Sequence, residues 1–131
     1  MVRRVSILAL ALCLILNVNA LAVTPRTETT SRYIPNFSVT GNTAHCSLRV
    51  ASPDAKASIT ATVTLLKSDG EGGFTVLYRW AGVRGTGDLD FVDTYTSSKI
   101  TGNATYRMEF SVHVVGSYGT DNINNYLEIV K

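Results

Sequence analysis

The sequence predicts an all-β chain: an antiparallel, immunoglobulin-like β-sandwich of about seven strands behind an N-terminal signal peptide. Three observations carry this expectation. Several stretches alternate apolar and polar residues with a period of two, so each strand offers one apolar row to a core. Turn residues recur at the short, regular intervals that a sandwich needs. Past the first 22 residues no window holds apolar residues at helical spacing for three turns, which leaves no room for more than a turn or two of helix.

The chain opens with Arg3 and Arg4, an apolar run over residues 5–18 and the small-x-small triplet Ala20-Leu21-Ala22. That is the grammar of a secretory signal peptide, with cleavage expected after Ala22. The apolar run is shorter than the ~20 residues that cross a bilayer, so a retained anchor is disfavoured. A twin-arginine route and a lipoprotein site at Cys13 fit less well. The apolar run follows the arginines directly, and Leu12 is bulky where a lipoprotein box wants a small residue. Residues 23–32, with Pro25 and a run of Thr, Glu and Ser, are expected to form a flexible lead-in to a domain over residues 33–131.

The first strand falls at residues 33–39, with Ile34, Phe37 and Val39 apolar and Pro35 keeping it short or at an edge. Gly41-Asn42 turns it into the second strand, residues 43–51, where Ala44, Cys46, Leu48 and Val50 alternate with His45, Ser47 and Arg49. After Ser52-Pro53-Asp54 the third strand, residues 58–67, sets Ile59, Ala61, Val63 and Leu65 against Ser58, Thr60, Thr62 and Thr64. A Gly-rich connection over residues 68–73 leads to the fourth strand, residues 74–80, with Phe74, Val76, Tyr78 and Trp80 expected on one face. Residues 82–87 hold three glycines and read as a loop.

The fifth strand, residues 89–95, carries Leu89, Phe91 and Tyr95 in phase, with Asp93 falling on the same side. The sixth, residues 105–115, has the cleanest pattern: Tyr106, Met108, Phe110, Val112 and Val114 against Arg107, Glu109, Ser111 and His113. The seventh runs over residues 123–130. Tyr106 stands where a sandwich places a tyrosine corner, its hydroxyl bonded back to the preceding connection. Met108 and Cys46 occupy the places of the inter-sheet cysteines of antibody domains, so no disulfide forms there and both are expected to pack in the core.

Charge and cysteine usage exclude several classes. Arg3 and Arg4 leave with the signal peptide, and the basic residues that remain balance the 10 acidic ones. They are scattered rather than clustered, which argues against nucleic acid as a partner. The same neutrality, with no cationic amphipathic stretch, argues against membrane insertion of the mature domain. Cys46 is the one cysteine left after cleavage, so a core must supply the stability that disulfides give many exported domains.

Few residues suggest chemistry. His45 beside Cys46 has the look of a base with its thiol, but neighbours on a strand point to opposite faces. His45 and His113 both face away from the expected core, with no ligand-spaced partner for zinc. Asp88, Asp90 and Asp93, behind Gly85 and Gly87, form a weak calcium candidate, or the carboxylates of a small hydrolytic or carbohydrate-active module; a solvated, charge-blunted edge strand explains the same residues more simply. Arg79, Trp80 and Arg84 are candidates for a surface that meets glycan or peptide, against the simpler reading of Trp80 in the core with Arg79 outward. Asn36-Phe37-Ser38 and Asn103-Ala104-Thr105 have the form of glycosylation sequons.

Leu65-Leu66-Lys67-Ser68-Asp69-Gly70, Phe74-Thr75-Val76, Trp80-Ala81-Gly82 and Gly102-Asn103-Ala104-Thr105-Tyr106-Arg107 together resemble a family of small secreted β-sandwich proteins of Gram-positive bacteria. The resemblance covers residues 33–131 and implies export and a sandwich fold. It carries no catalytic residue and no cofactor. The expectation is therefore a secreted, non-enzymatic sandwich that binds a protein or glycan surface at or outside the cell envelope, through strand edges and residues 82–87. An enzyme built on the three aspartates and a secreted effector or toxin are the alternatives.

Overall fold

The computed structural model describes residues 29, 30 and 32–131; the expected signal peptide, residues 1–22, lies outside the described residues. Seven strands follow in order: β1 (Arg32–Thr40), β2 (Thr43–Ala51), β3 (Ser58–Ser68), β4 (Phe74–Thr86), β5 (Asp88–Thr96), β6 (Thr105–Gly116) and β7 (Gly119–Val130). Every pairing is antiparallel, and the described residues include no helix.

The hydrogen-bonded order is β1-β2-β5-β4-β3-β6-β7. Its continuity rests on little at one point, since β5 meets β4 only at Thr86↔Asp88. There the sheet folds over, giving a three-stranded layer β1-β2-β5 against a four-stranded layer β4-β3-β6-β7. That arrangement is an immunoglobulin-like sandwich. Contact across the layers is direct: Tyr33 of β1 meets Phe110 of β6 with ring centroids 5.8 Å apart, and Trp80 of β4 meets Phe91 of β5 at 5.5 Å.

Period-two alternation supplies the core. Ala44, Cys46, Leu48 and Val50 of β2, Ile59, Ala61, Val63 and Leu65 of β3, and Tyr106, Met108, Phe110, Val112 and Val114 of β6 are buried together with Leu89, Phe91 and Ile123. Each large member contributes roughly 1.5–3 kcal/mol by leaving water. Cys46 is a free thiol inside this cluster, in the same core as Met108, so it forms no covalent staple between the two layers.

Tyr106 makes the corner its position suggests. Its hydroxyl donates to the Thr101 carbonyl and accepts from the Thr101 amide, both at 3.0 Å, while its ring is wholly buried. The β5–β6 connection is thereby tied to the start of β6, and Ile100 from that connection is buried too. The β1–β2 hairpin pairs Thr40 with Thr43 around Gly41-Asn42, and Gly41 takes φ 61°, the positive value that glycine accepts at the first central position of such a turn.

Three expectations change. Most of the loop expected over residues 82–87 is strand: β4 continues through Thr86, and Gly87 alone connects it to β5. Phe74, Val76, Tyr78 and Trp80 do not share a face either. Between Ala61↔Val83 and Val63↔Trp80, β4 advances three residues against two of β3, and between Leu65↔Tyr78 and Leu66↔Val76 it advances two against one. Each bulge shifts the phase by one residue. Leu77, Trp80 and Val83 therefore pack on the core, while Val76 joins Leu66 on the outer face. Finally, the ordered domain begins before residue 33. Thr29 and Thr30 are buried, Thr29 Oγ1 donates to the Gly119 carbonyl at 3.0 Å, and the Ser52 hydroxyl donates to the Thr29 carbonyl.

Candidate functional site

The sequence-derived candidates separate onto different surfaces. Trp80 points into the gap between the layers, where β4 and β5 have diverged. Its ring meets Tyr78 at 4.9 Å and Phe91 at 5.5 Å, and Tyr78 stacks on Tyr95 at 5.1 Å. Trp80 Nε1 donates to Asp93 Oδ2 at 2.8 Å. Asp93 falls on the inner side of β5 for this reason: a carboxylate at the margin satisfies the one polar atom of the indole. Trp80 is thus a partly buried seam residue, and the open aromatic surface expected around it shrinks to Tyr78, 45 % exposed.

The aspartates do not converge. Asp88 and Asp90 lie on the outer face of β5, where Asp90 sits 3.8 Å from Arg49, while Asp93 faces the other way and is engaged by Trp80. A site that needs all three, for calcium or for hydrolysis, is not formed. Among the described residues no group of three or more His, Cys, Asp or Glu is placed to hold a metal ion. Among the described residues no helix is long and apolar enough to cross a membrane.

Cys46 and His45 point to opposite sides of β2, Cys46 into the core and His45 outward. Burial first, and the negative charge of its cross-strand neighbour Asp93 second, push the Cys46 thiol up to about 12. A thiol held protonated in an apolar setting is a packing group. His113 stands on the outer face of β6, in the other layer, with Nδ1 2.5 Å from Asn122 Oδ1.

The outer face of β4-β3-β6-β7 carries the features that sequence reasoning missed. Register places Thr64, Glu109 and Tyr126 in one row, Thr62, Ser111 and Asn124 in the next, and Thr60, His113 and Asn122 in a third, the last flanked by Arg84 of β4. Two open hollows of about 380 and 360 Å³ run over these rows and share Thr62 and Ser111, so they form one trough. Arg79 reaches its rim, Nε donating to Thr64 Oγ1 at 3.3 Å.

One end of the trough is built rigidly. The Arg107 guanidinium lies 4.1 Å from the Phe74 ring centroid and 4.0 Å from that of Tyr126. Its Nη2 and Nε donate to Glu128 Oε1 at 2.5 and 3.0 Å, and Nη1 to Glu109 Oε1 at 3.4 Å. Burial works against the arginine charge, but the hydrogen bonds and charge of Glu128 outweigh it and hold the guanidinium above its ordinary range. Leu66, in register with Arg107, is buried on this outward side, so the cluster makes a small second core outside the sandwich.

A signal for the trough was present in the outward row Thr60, Thr62 and Thr64 and in Ser111 and His113. What the sequence withheld was the strand order that sets β6 between β3 and β7.

No protein-family model and no curated protein matches the sequence. Among solved structures, a hypothetical protein from Pyrococcus horikoshii OT3 is similar with 9% identity and a TM-score of 0.46, over 83% of this chain and 95% of that one. The solution structure of a protein described as a candidate late embryogenesis abundant (LEA) protein is similar with 11% identity and a TM-score of 0.47, over 98% of this chain and 86% of that one. Likeness of this degree says nothing about activity or partners.

Proposed function

We propose that the chain is an exported, non-enzymatic β-sandwich that acts by surface binding at or outside the cell envelope, through the outer face of its four-stranded layer. The observation that carries this reading is the trough itself: a broad, open concavity whose walls are hydroxyl, amide and guanidinium groups on paired strands. Such walls are already ordered before a partner arrives, which lowers the entropic cost of binding. Export rests on the basic start, apolar run and small-residue exit of residues 1–22.

Ser111 and His113 offer a hydroxyl and an imidazole on one strand of this face. They stand two residues apart on β6, and among the described residues no hydrogen bond joins them. Binding is the better use of the surface.

The test is co-sedimentation of the purified chain with isolated cell envelopes, followed by hydroxyl-radical footprinting of the bound form. The expected result is retention in the pellet with Tyr126 and His113 protected, while Val92 and His45 on the opposite layer stay reactive. A chain that remains in the supernatant, protection centred on Val92, or steady release of soluble fragments from the envelopes overturns the reading.

A further inference from the structure

We infer that the trough on the four-stranded layer takes an acidic oligosaccharide, a chain of sugar units carrying carboxylates; this rests on the surface-binding reading above and names its ligand. The lining separates the ligand classes. Thr60, Thr62, Thr64 and Ser111 offer hydroxyls that donate or accept, and Asn124 offers both an amide donor and an acceptor. A sugar ring presents alternating hydroxyls that need such ambivalent partners. A folded protein partner or peptide anchors through aromatic and aliphatic side chains in dry pockets, whereas the exposed ring of this trough, Tyr126, stands at an open end among hydroxyl and amide groups.

The ends of the trough differ, and the difference gives the ligand its polarity. Tyr126 closes one end, 44 % exposed, with Arg107 against one ring face at 4.0 Å. A ring fixed in this way offers its remaining negative face to the polarised C–H groups of a sugar. At the other end stand Arg84 and His113, with no carboxylate among the residues lining that hollow. Arg84 and Arg79 make no ion pair among the described residues, whereas the carboxylate within the trough, Glu109, is already engaged by Arg107. Arg79 stands beside Thr64 toward the Tyr126 end, where Glu109 and Glu128 offset its charge and that of Arg107, so the uncompensated positive charge lies at the Arg84 end, and a carboxylate on the ligand complements it.

The three rows span about 13 Å along the strands at ~3.3 Å per residue, a length for a short oligosaccharide rather than a single sugar. Binding is electrostatic at one end and by stacking at the other, so salt weakens it without abolishing it.

The test is calorimetric titration of the purified chain with hexagalacturonate, with cellohexaose as the uncharged probe of similar length. Hexagalacturonate is expected to bind and cellohexaose to bind at least about tenfold more weakly, the loss of one charge-assisted contact. Arg84→Ala should cost about tenfold and Arg84→Lys less, because lysine keeps the charge and loses the fork. Asn124→Ala, an exposed change that leaves the Arg107 cluster alone, should weaken both probes. Arg49→Ala, on the opposite layer, should change nothing.

Equal affinity for the two probes, or an Arg84→Ala chain that binds hexagalacturonate as well as the parent, overturns the inference. So does envelope binding that survives periodate oxidation of the glycans and is lost after protease treatment, which would place the partner among proteins. If hexagalacturonate fails while periodate-sensitive envelope binding persists, the acidic ligand is wrong and the surface reading stands.

Discussion

The two ends of the β4–β5 margin solve one problem by opposite means. At the Thr86↔Asp88 end the chain passes from one layer to the other through backbone alone, and there is no space for side chains. A Cβ on Gly85 would lie 2.1 Å from the Asp88 carbonyl oxygen, and one on Gly87, which has φ 76°, would lie 2.8 Å from the Ala55 carbonyl oxygen. At the other end the strands have parted, and Tyr78, Trp80, Phe91 and Tyr95 fill the gap with rings. Backbone closure is intolerant of any added atom, whereas ring closure tolerates many side chains of similar bulk. Mutations at the first end should therefore act on whether the fold forms, and those at the second on how firmly its open side is shut.

The largest effect is expected from Gly85→Ala. The clash is with backbone that cannot rotate away, so the loss should be about 3 kcal/mol or more, read as a lower urea midpoint at unchanged slope. A neutral result would mean that the corner yields freely, and the contrast would collapse.

Next in size is Trp80→Ala at the seam. Removing a partly buried indole takes away its edge contacts and leaves Asp93 Oδ2 without the indole donor, for an expected loss of about 2 kcal/mol. Trp80→Phe keeps a ring and loses the hydrogen bond, so it should cost about 1 kcal/mol. If both variants lose the same amount, the hydrogen bond rather than the ring closes the seam.

Tyr106→Phe tests a third kind of closure, in which one hydroxyl secures a connection. It leaves the Thr101 amide and carbonyl without their partner and should cost about 1–2 kcal/mol, with faster hydrogen exchange at Thr101. Unchanged exchange there would show that Ile100 anchors the connection by itself.

These regions also show what the sequence could and could not disclose. The corner at Tyr106 was legible because it depends on one residue at a fixed place relative to one strand. β2 was legible to its ends, since Thr43–Ala51 alternates without interruption. The course of β4 was not. Its glycines suggest a loop in isolation, yet they permit a bulged strand once β3 lies beside them, and pairing with β3 is a long-range fact. The trough was hidden in the same way: each of its residues was visible as the polar side of a strand, but adjacency across β3, β6 and β7 comes from topology. The anchoring of Thr29 likewise depends on Ser52 and Gly119, remote in sequence.

The smallest effect sharpens the comparison from the corner's side. Asp54, in the β2–β3 connection, accepts from the Ser117 amide and hydroxyl through Oδ2, each at 2.8 Å, and from the Lys56 amide through Oδ1 at 2.9 Å. The Ser117 amide, then the Lys56 amide and the Ser117 hydroxyl, hold its carboxyl below the ordinary carboxylate range. A pKa lowered by folding means that the charged form is favoured in the folded state, so its contribution is complete above the unfolded value near pH ~4 and fades as pH falls through the folded value. Asp54→Asn should therefore lower stability slightly at neutral pH and flatten the acid limb, measured as urea midpoints between about pH 6 and pH 2. Gly116 packs against the same carboxylate, an added Cβ falling 3.0 Å from Asp54 Oδ2. An acid limb identical in the parent and in Asp54→Asn would show that the β6–β7 turn is held by that close packing, as Gly85 holds the corner, and not by the charge.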